Sequence, residues 1–252
     1  MAVSAEGLGV GWSADAGDAL GLAALGLARR FAAGATLWCV APEWREHARH
    51  VAVEFVHPVI VGKPALAAVT VDAPDPVGAL RALVGAGDVV LALGAPADRA
   101  IREITRRAAA WGAMSIWIGA GVRPERGVAD HVLWVHDDGA SAAHDGRLVF
   151  QYHVLWELTH VCLEHPGLLA ADPDMCDPAG RTVCVTCSDE GHLGEVVAVE
   201  GVTAHIRAAA RVEAVDTSIV APVHPGDLLL VHAGTAIAVV DDFAGAEHEI
   251  VR

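Results

Sequence analysis

The sequence has no long apolar run and no excess of positive charge. Hydrophobic residues make up 54% of the 252 residues, but charge, Gly or Pro interrupts them well before the roughly 20 apolar residues that a membrane-spanning helix needs. A net charge of −15 leaves no basic stripe of the kind that nucleic-acid binding requires. The first residues also lack the basic leader and apolar block of a secretory signal. We therefore expect a cytoplasmic protein that binds neither nucleic acid nor membranes.

Cysteine is scarce, with five residues in the whole chain. An odd number without an export signal does not predict a disulfide framework. Cys39 and Cys162 lie in apolar runs and are typical of small core residues. Cys176, Cys184 and Cys187 lie close together in the sequence, so they need a separate explanation.

Residues 1–166 alternate between helical and strand patterns. Apolar residues at helical spacing predict helices over 15–33, 43–56, 97–112 and 147–164. Short apolar runs predict strands over 36–40, 66–71, 88–93, 114–118 and 131–135. Strands that are apolar along their whole length and alternate with helices indicate a parallel sheet covered on both faces. We predict a three-layer α/β/α domain.

The pattern changes after residue 166. Residues 167–182 are rich in Pro and Gly without periodicity, as in a linker. Residues 183–252 contain five short β segments separated by turn residues, which predicts a small closed β-barrel. From Cys184 onward this part has eleven acidic and three basic side chains. So small a barrel has a thin core, which favours docking to another surface.

Cys184 and Cys187 form a CxxC pair just before the first of these β segments. Two thiolates at this spacing can bind one soft metal ion or form a disulfide. His232, which ends an apolar strand before Ala233 and Gly234, could join them at a metal. A structural zinc site would need four ligands, for which Cys176 and His192 are available. A hydrogen-bonded core histidine beside an incidental CxxC remains the simplest alternative.

The run PGDLLLVHAGTA at 225–236, the preceding VDTSIVAPV and the earlier CVTCSDEGHLGEVVAV resemble the HypC/HupF family over the last 70 residues. The resemblance implies an OB-like barrel that acts as a [NiFe] hydrogenase maturation chaperone. Such proteins carry a transient Fe(CN)₂CO group with an iron–sulfur scaffold partner, HypD, and deliver it to the hydrogenase large-subunit precursor. By position, the implied iron ligands are His232 and either Cys184, which we favour, or Cys187. The family cysteine usually follows the initiator methionine, whereas here it is internal.

Three phrases of the first domain are similar to SIS-type sugar isomerases, especially phosphoheptose isomerases. They are HVAVEFVHPVIVGKPALAAVTVD at 50–72, AGDVVLAL at 86–93 and FQYHVLWELTHVCLEH at 150–165. The resemblance implies self-association and a proton transfer between sugar carbons, with Glu54 as base and His153 as acid. Alternatively, Glu54 is a polar helix position paired with His50, and His153 is a surface or interface histidine.

The loops expected to bind the sugar phosphate depart from this resemblance. Residues 41–44 and 94–98 contain no serine, and each contains a proline that removes a donor. Glu43 and Asp98 would repel phosphate. Losing several charge-assisted hydrogen bonds, each worth about 1.5–3 kcal/mol, should abolish useful affinity. We therefore expect a non-catalytic chaperone; the alternative is a phosphosugar isomerase of the sedoheptulose 7-phosphate type or a sugar-phosphate-binding protein.

Overall fold

The structure, a computed structural model, describes residues 14–125, 127–135, 146–169, 191–220 and 222–240. The chain divides into two compact units. The first consists of Met1–Ala108 and Ala113–Cys176, and the second of Ala109–Gly112 and Asp177–Arg252. No helix among the described residues is both long and apolar enough to cross a membrane.

The first unit alternates helices and strands along the chain. Its helices are α1 (Ala14–Ala32), α2 (Arg45–Val56), α3 (Pro76–Leu83), α4 (Arg99–Ala108), α5 (Gly146–Glu164) and α6 (Pro166–Leu169). Its strands are β1 (Leu37–Val40), β2 (Ala68–Val71), β3 (Val89–Leu93), β4 (Met114–Ala120) and β5 (His131–Val135). The predicted elements are present, most with ends shifted by one or two residues. The short helices α3 and α6 were not predicted.

The five strands form one parallel sheet in the order β2-β1-β3-β4-β5. Helix α5 contacts both α1 and α2, and these three helices cover one face of the sheet, while α3 and α4 contact each other beside β2, β3 and β4. All residues of β3 and β4 are buried. This burial explains why they read as continuous apolar runs. The three-layer α/β/α prediction is confirmed.

Gly119, in the fully buried strand β4, shows how tightly the sheet packs. A Cβ atom at this position would lie 2.4 Å from the Trp134 ring and 2.6 Å from the Gly94 carbonyl oxygen. The Trp134 and Trp117 rings meet edge to face with centroids 5.7 Å apart. The position therefore accepts no side chain without displacing β5 or the end of β3.

The second unit contains a closed five-stranded barrel. Its strands are β6 (His192–Glu200), β7 (Thr203–Ala208), β8 (Arg211–Asp216), β9 (Leu228–His232) and β10 (Thr235–Val239). Around the barrel they follow the order β10-β8-β7-β6-β9, and β9 pairs with β10. Its core contains Val196, Ala204, Ile206, Val215, Leu229, Val231 and Ala236. The predicted small barrel is confirmed.

Candidate functional site

The carboxyl ends of β1 and β3 are where a parallel sheet of this order would bind a ligand. These strands are neighbours, and the chain order reverses between them, which opens a crevice at that edge in such folds. The loop after β3 ends at Asp98, whose Oδ1 accepts the N–H groups of Ala100 at 2.9 Å and Ile101 at 3.2 Å. A phosphate at the start of α4 would need these same donors. The Asp98 carboxylate therefore takes the place, at the start of α4, where a bound phosphate would lie.

A cluster of ionisable and aromatic side chains lies between α2 and α5, and we call it the α2–α5 cluster. It consists of His47, His50 and Glu54 on α2 and Tyr152 and His153 on α5. The Nε2 atoms of His50 and His153 lie 3.3 and 3.6 Å from Glu54 Oε1. The structure thus brings together Glu54 and His153, the two residues that the isomerase resemblance pointed to. It also shows the Glu54–His50 pairing of the alternative interpretation.

The hydrogen bonds of this cluster have a consistent direction. When His50 is neutral with its proton on Nε2, the nitrogen 3.3 Å from Glu54 Oε1, its Nδ1 is an acceptor. The Tyr152 hydroxyl, 2.9 Å from that Nδ1, is then the donor. Its oxygen can still accept from Nδ1 of His47, 3.4 Å away. A chain of polar contacts therefore runs from His47 through Tyr152 and His50 to Glu54.

Tyr152 is buried at 2% exposure. Burial, and secondarily the negative charge of Glu54, raises the pKa of Tyr152 to about 12. The hydroxyl therefore keeps its proton at neutral pH and serves as a donor to His50.

A pocket of about 360 Å³ opens beside Glu54 and His153. Val59, Val154, Trp156, Glu157 and Leu158 complete its lining, so none of the described residues that line it is Lys or Arg. The nearby Lys63 bonds to Glu164 at 2.9 Å and lies 3.5 Å from Glu157. The pocket is therefore suited to an uncharged or cationic group and unsuited to a phosphate.

Three members of this cluster could hold a divalent metal ion. The ligand atoms of His50, Glu54 and His153 all lie within 4.8 Å of one another. Two imidazoles and a carboxylate form a ligand set that zinc and similar metals accept, with a fourth position left open. Proton transfer and metal binding are both within the chemical reach of this arrangement.

The second predicted site depends on His232, the last residue of β9. Ala233 and Gly234 follow with φ values of 49° and 76°, and Thr235 pairs with His232 across this two-residue turn. Positive φ at both central residues is typical of a tight hairpin. The turn thus fixes the half-buried His232 side chain at the end of its strand.

The chain enters the barrel beside His232. His192 pairs with Val231, and one further step of the same register places Gly191 opposite His232. A Cβ atom at Gly191 would lie 3.5 Å from the Val231 carbonyl oxygen, which shows how close the two segments run. Cys184 and Cys187, the predicted thiolate ligands, precede Gly191 and lie outside the described residues, as does Cys176.

Sequence reasoning missed His47 and Tyr152. The spacing of His47, His50 and Glu54 places them on one face of α2, and this signal was available. The Tyr152 contacts, in contrast, join residues about 100 positions apart in the chain. Only the packing of α2 against α5 reveals them.

Comparison with known proteins finds different relatives for the two parts of the chain. Residues 191–249 match the model of the HupF/HypC family, a range that includes His232 but neither Cys184 nor Cys187. No curated protein sequence matches the chain significantly.

Solved structures match through their folds. A phosphoheptose isomerase from Francisella tularensis aligns with a TM-score of 0.50 and 16% identity, over 57% of this chain and 86% of that one. The phosphoheptose isomerase GmhA from Neisseria gonorrhoeae aligns with a TM-score of 0.44 and 17% identity, over 60% and 89%. At such identities the first match shows a shared fold. The chain is therefore similar to the HupF/HypC family over residues 191–249, and its α/β domain has the fold of a phosphoheptose isomerase.

Proposed function

We propose that this protein is a [NiFe] hydrogenase maturation chaperone that carries the Fe(CN)₂CO group and delivers it to the hydrogenase large-subunit precursor. The observation that carries the proposal is the HupF/HypC match over a closed barrel with His232 at the end of β9. We expect a HypD-like iron–sulfur scaffold to be the partner from which the group is received.

The proposed iron ligands are His232 and a thiolate of the CxxC pair, with Cys184 favoured and Cys187 as auxiliary. Soft thiolate and imidazole ligands suit low-spin ferrous iron. Cys187 lies four positions before Gly191 in the chain, and Cys184 lies seven positions before it. Extended chain covers about 3.5 Å per residue, so the two thiols have reaches of roughly 14 and 25 Å. Since Gly191 lies opposite His232, both cysteines are within reach of the imidazole.

Infrared spectroscopy of the full chain, purified anaerobically with its scaffold partner, tests this proposal. The wild type should show CN and CO stretching bands, and Cys184→Ala and His232→Ala should lose them. His205→Ala, which removes another half-exposed strand histidine of the barrel, and Cys162→Ala should keep them. Bands that persist in Cys184→Ala and vanish in Cys187→Ala would reassign the cysteine. Bands unaffected by either cysteine variant would refute the iron-carrier mechanism.

For the α/β domain we propose a role as a non-catalytic platform for self-association and docking. Asp98 already accepts the N–H groups that a phosphate would use, and the described residues that line the pocket beside Glu54 include no Lys or Arg. The competing function, phosphosugar isomerisation, draws its support from the contact between Glu54 and His153.

Enzyme assays separate these two roles for the α/β domain. We expect no conversion of sedoheptulose 7-phosphate by the wild type, and undiminished hydrogenase maturation with Glu54→Gln or His153→Ala. Conversion by the wild type that either substitution abolishes would establish the isomerase instead.

A further inference from the structure

Within the described part of the chain, the first residues of β6 pair with a neighbouring strand on one edge only. His192, Leu193 and Gly194 pair with β9, opposite Val231, Leu230 and Leu229. On the other edge, pairing with β7 begins at Glu195, opposite Arg207. A strand end with one paired edge can swing or fray more readily than one held on both sides.

A hydrogen bond between the His192 and Glu213 side chains crosses this unpaired edge of β6. His192 Nε2 lies 2.6 Å from Glu213 Oε1. Glu213 belongs to β8, which β7 separates from β6 in the barrel order. The bond thus reaches past the end of the β6–β7 ladder and restrains the first residue of β6 from the side that has no strand partner among the described residues.

The restrained residue is adjacent to the proposed iron site. His192 pairs with Val231, the residue before His232. In the chain, His192 also lies five positions after Cys187. Any movement of His192 therefore changes how the start of β6 lies against the residue before His232.

The His192 and Glu213 side chains are 44% and 41% exposed. Ion pairs this exposed contribute little to folding stability. Stability alone therefore gives a weak reason for so short a contact between non-adjacent strands.

We propose that His192 and Glu213 are a positioning pair for the iron group, because their hydrogen bond fixes the start of β6 against β9, beside the His232 imidazole. This inference rests on the proposed function. In it, His192 acts through its Nε2 hydrogen bond and is not itself an iron ligand. Residues that orient ligands through hydrogen bonds typically change metal affinity by about 10- to 100-fold when removed.

The test uses the full chain loaded anaerobically by its scaffold, with iron content and CN and CO band intensity as readouts. His192→Ala and Glu213→Ala should each lower loading by about tenfold, with the thermal unfolding midpoint nearly unchanged. His192→Gln should restore loading, because its amide can still donate to Glu213. The matched control is His205→Ala, which removes the looser 4.0 Å contact with Glu200 on the same barrel.

Each outcome supports or contradicts the positioning role of His192 and Glu213. Wild-type loading in both alanine variants would overturn the positioning role. Reduced loading that His192→Gln fails to restore would also overturn it, since the imidazole itself would then be required. A wild type without CN and CO bands would contradict the proposed function, and the positioning role with it. A wild type with bands and unaffected alanine variants would contradict the positioning role alone.

Discussion

Tyr152 shows at the scale of one residue how the α2–α5 cluster fixes a protonation state. It is the single tyrosine of the chain, so tyrosinate absorbance reports on this hydroxyl alone. Burial favours the neutral form, and the Glu54 carboxylate disfavours a second negative charge nearby.

We expect Tyr152 to titrate near pH 12 and not at its ordinary value of 10. Because the folded-state pKa is raised, the associated stability is fully present below pH 10 and is lost as the pH rises towards 12. Absorbance at the tyrosinate band during alkaline titration measures this directly. Glu54→Gln should lower the pKa while leaving it above 10, because burial is the larger cause. A wild-type value near 10 would contradict the buried, Glu54-facing hydroxyl.

At this scale the sequence predicted part of the α2–α5 cluster. Glu54 and His153 could be named because they lie in phrases that resemble a known family. Their neighbours His47 and Tyr152 could not be paired from the sequence, because the bond between them crosses from α2 to α5. Spacing within a helix shows which residues share a face, but it does not show what that face packs against.

Among the elements, helix α4 depends on a cap that also bears on function. Asp98 Oδ1 accepts two first-turn N–H groups of α4, which would otherwise lack partners inside the protein. Loss of such a cap usually costs about 1 kcal/mol.

Asp98→Ala should therefore lower the free energy of unfolding of the α/β domain by about 1 kcal/mol. Asp98→Ser, which keeps an accepting oxygen, should retain most of that stability. Urea denaturation followed by circular dichroism gives the comparison. Equal stability of wild type and Asp98→Ala would show that this cap contributes nothing measurable.

The elements themselves were largely predictable, for a physical reason. Strands β3 and β4 are buried along their whole length, so β3 is entirely apolar and Ser115 is the only polar side chain in β4. Helix α3 was missed because it has only eight residues, too few for a clear periodicity. Its start signal was nevertheless present, since Asp75 caps it and Pro76 opens it.

For the whole molecule, a run of exposed aliphatic residues bears on self-association. Val59, Ile60 and Val61 are consecutive and 80%, 45% and 101% exposed. Three neighbouring exposed aliphatic residues are unusual on a surface that meets only water. They lie in the loop after α2, in the domain that we propose to self-associate.

Light scattering at micromolar concentration should therefore find a dimer or tetramer. Val61→Asp should shift the population towards the monomer, because a carboxylate would be buried at the contact. Val122→Asp changes another exposed valine of the same domain, 82% exposed, and should leave the oligomer intact. A wild-type monomer would refute self-association through this domain.

The closure of the barrel has a consequence for its motions. The hairpin of β9 and β10 joins β6 through four residue pairs, whereas it meets β8 through the single pair of Thr235 and Asp216. The Asp216 amide donates to the Gly234 carbonyl oxygen at 2.9 Å across this seam. The barrel is therefore paired less extensively between β8 and β10 than between β6 and β9. Local opening should begin between β8 and β10. In hydrogen–deuterium exchange, the Asp216 amide should then exchange before the amides of the β6–β7 ladder. His232 should stay in place, because β9 remains paired with β6.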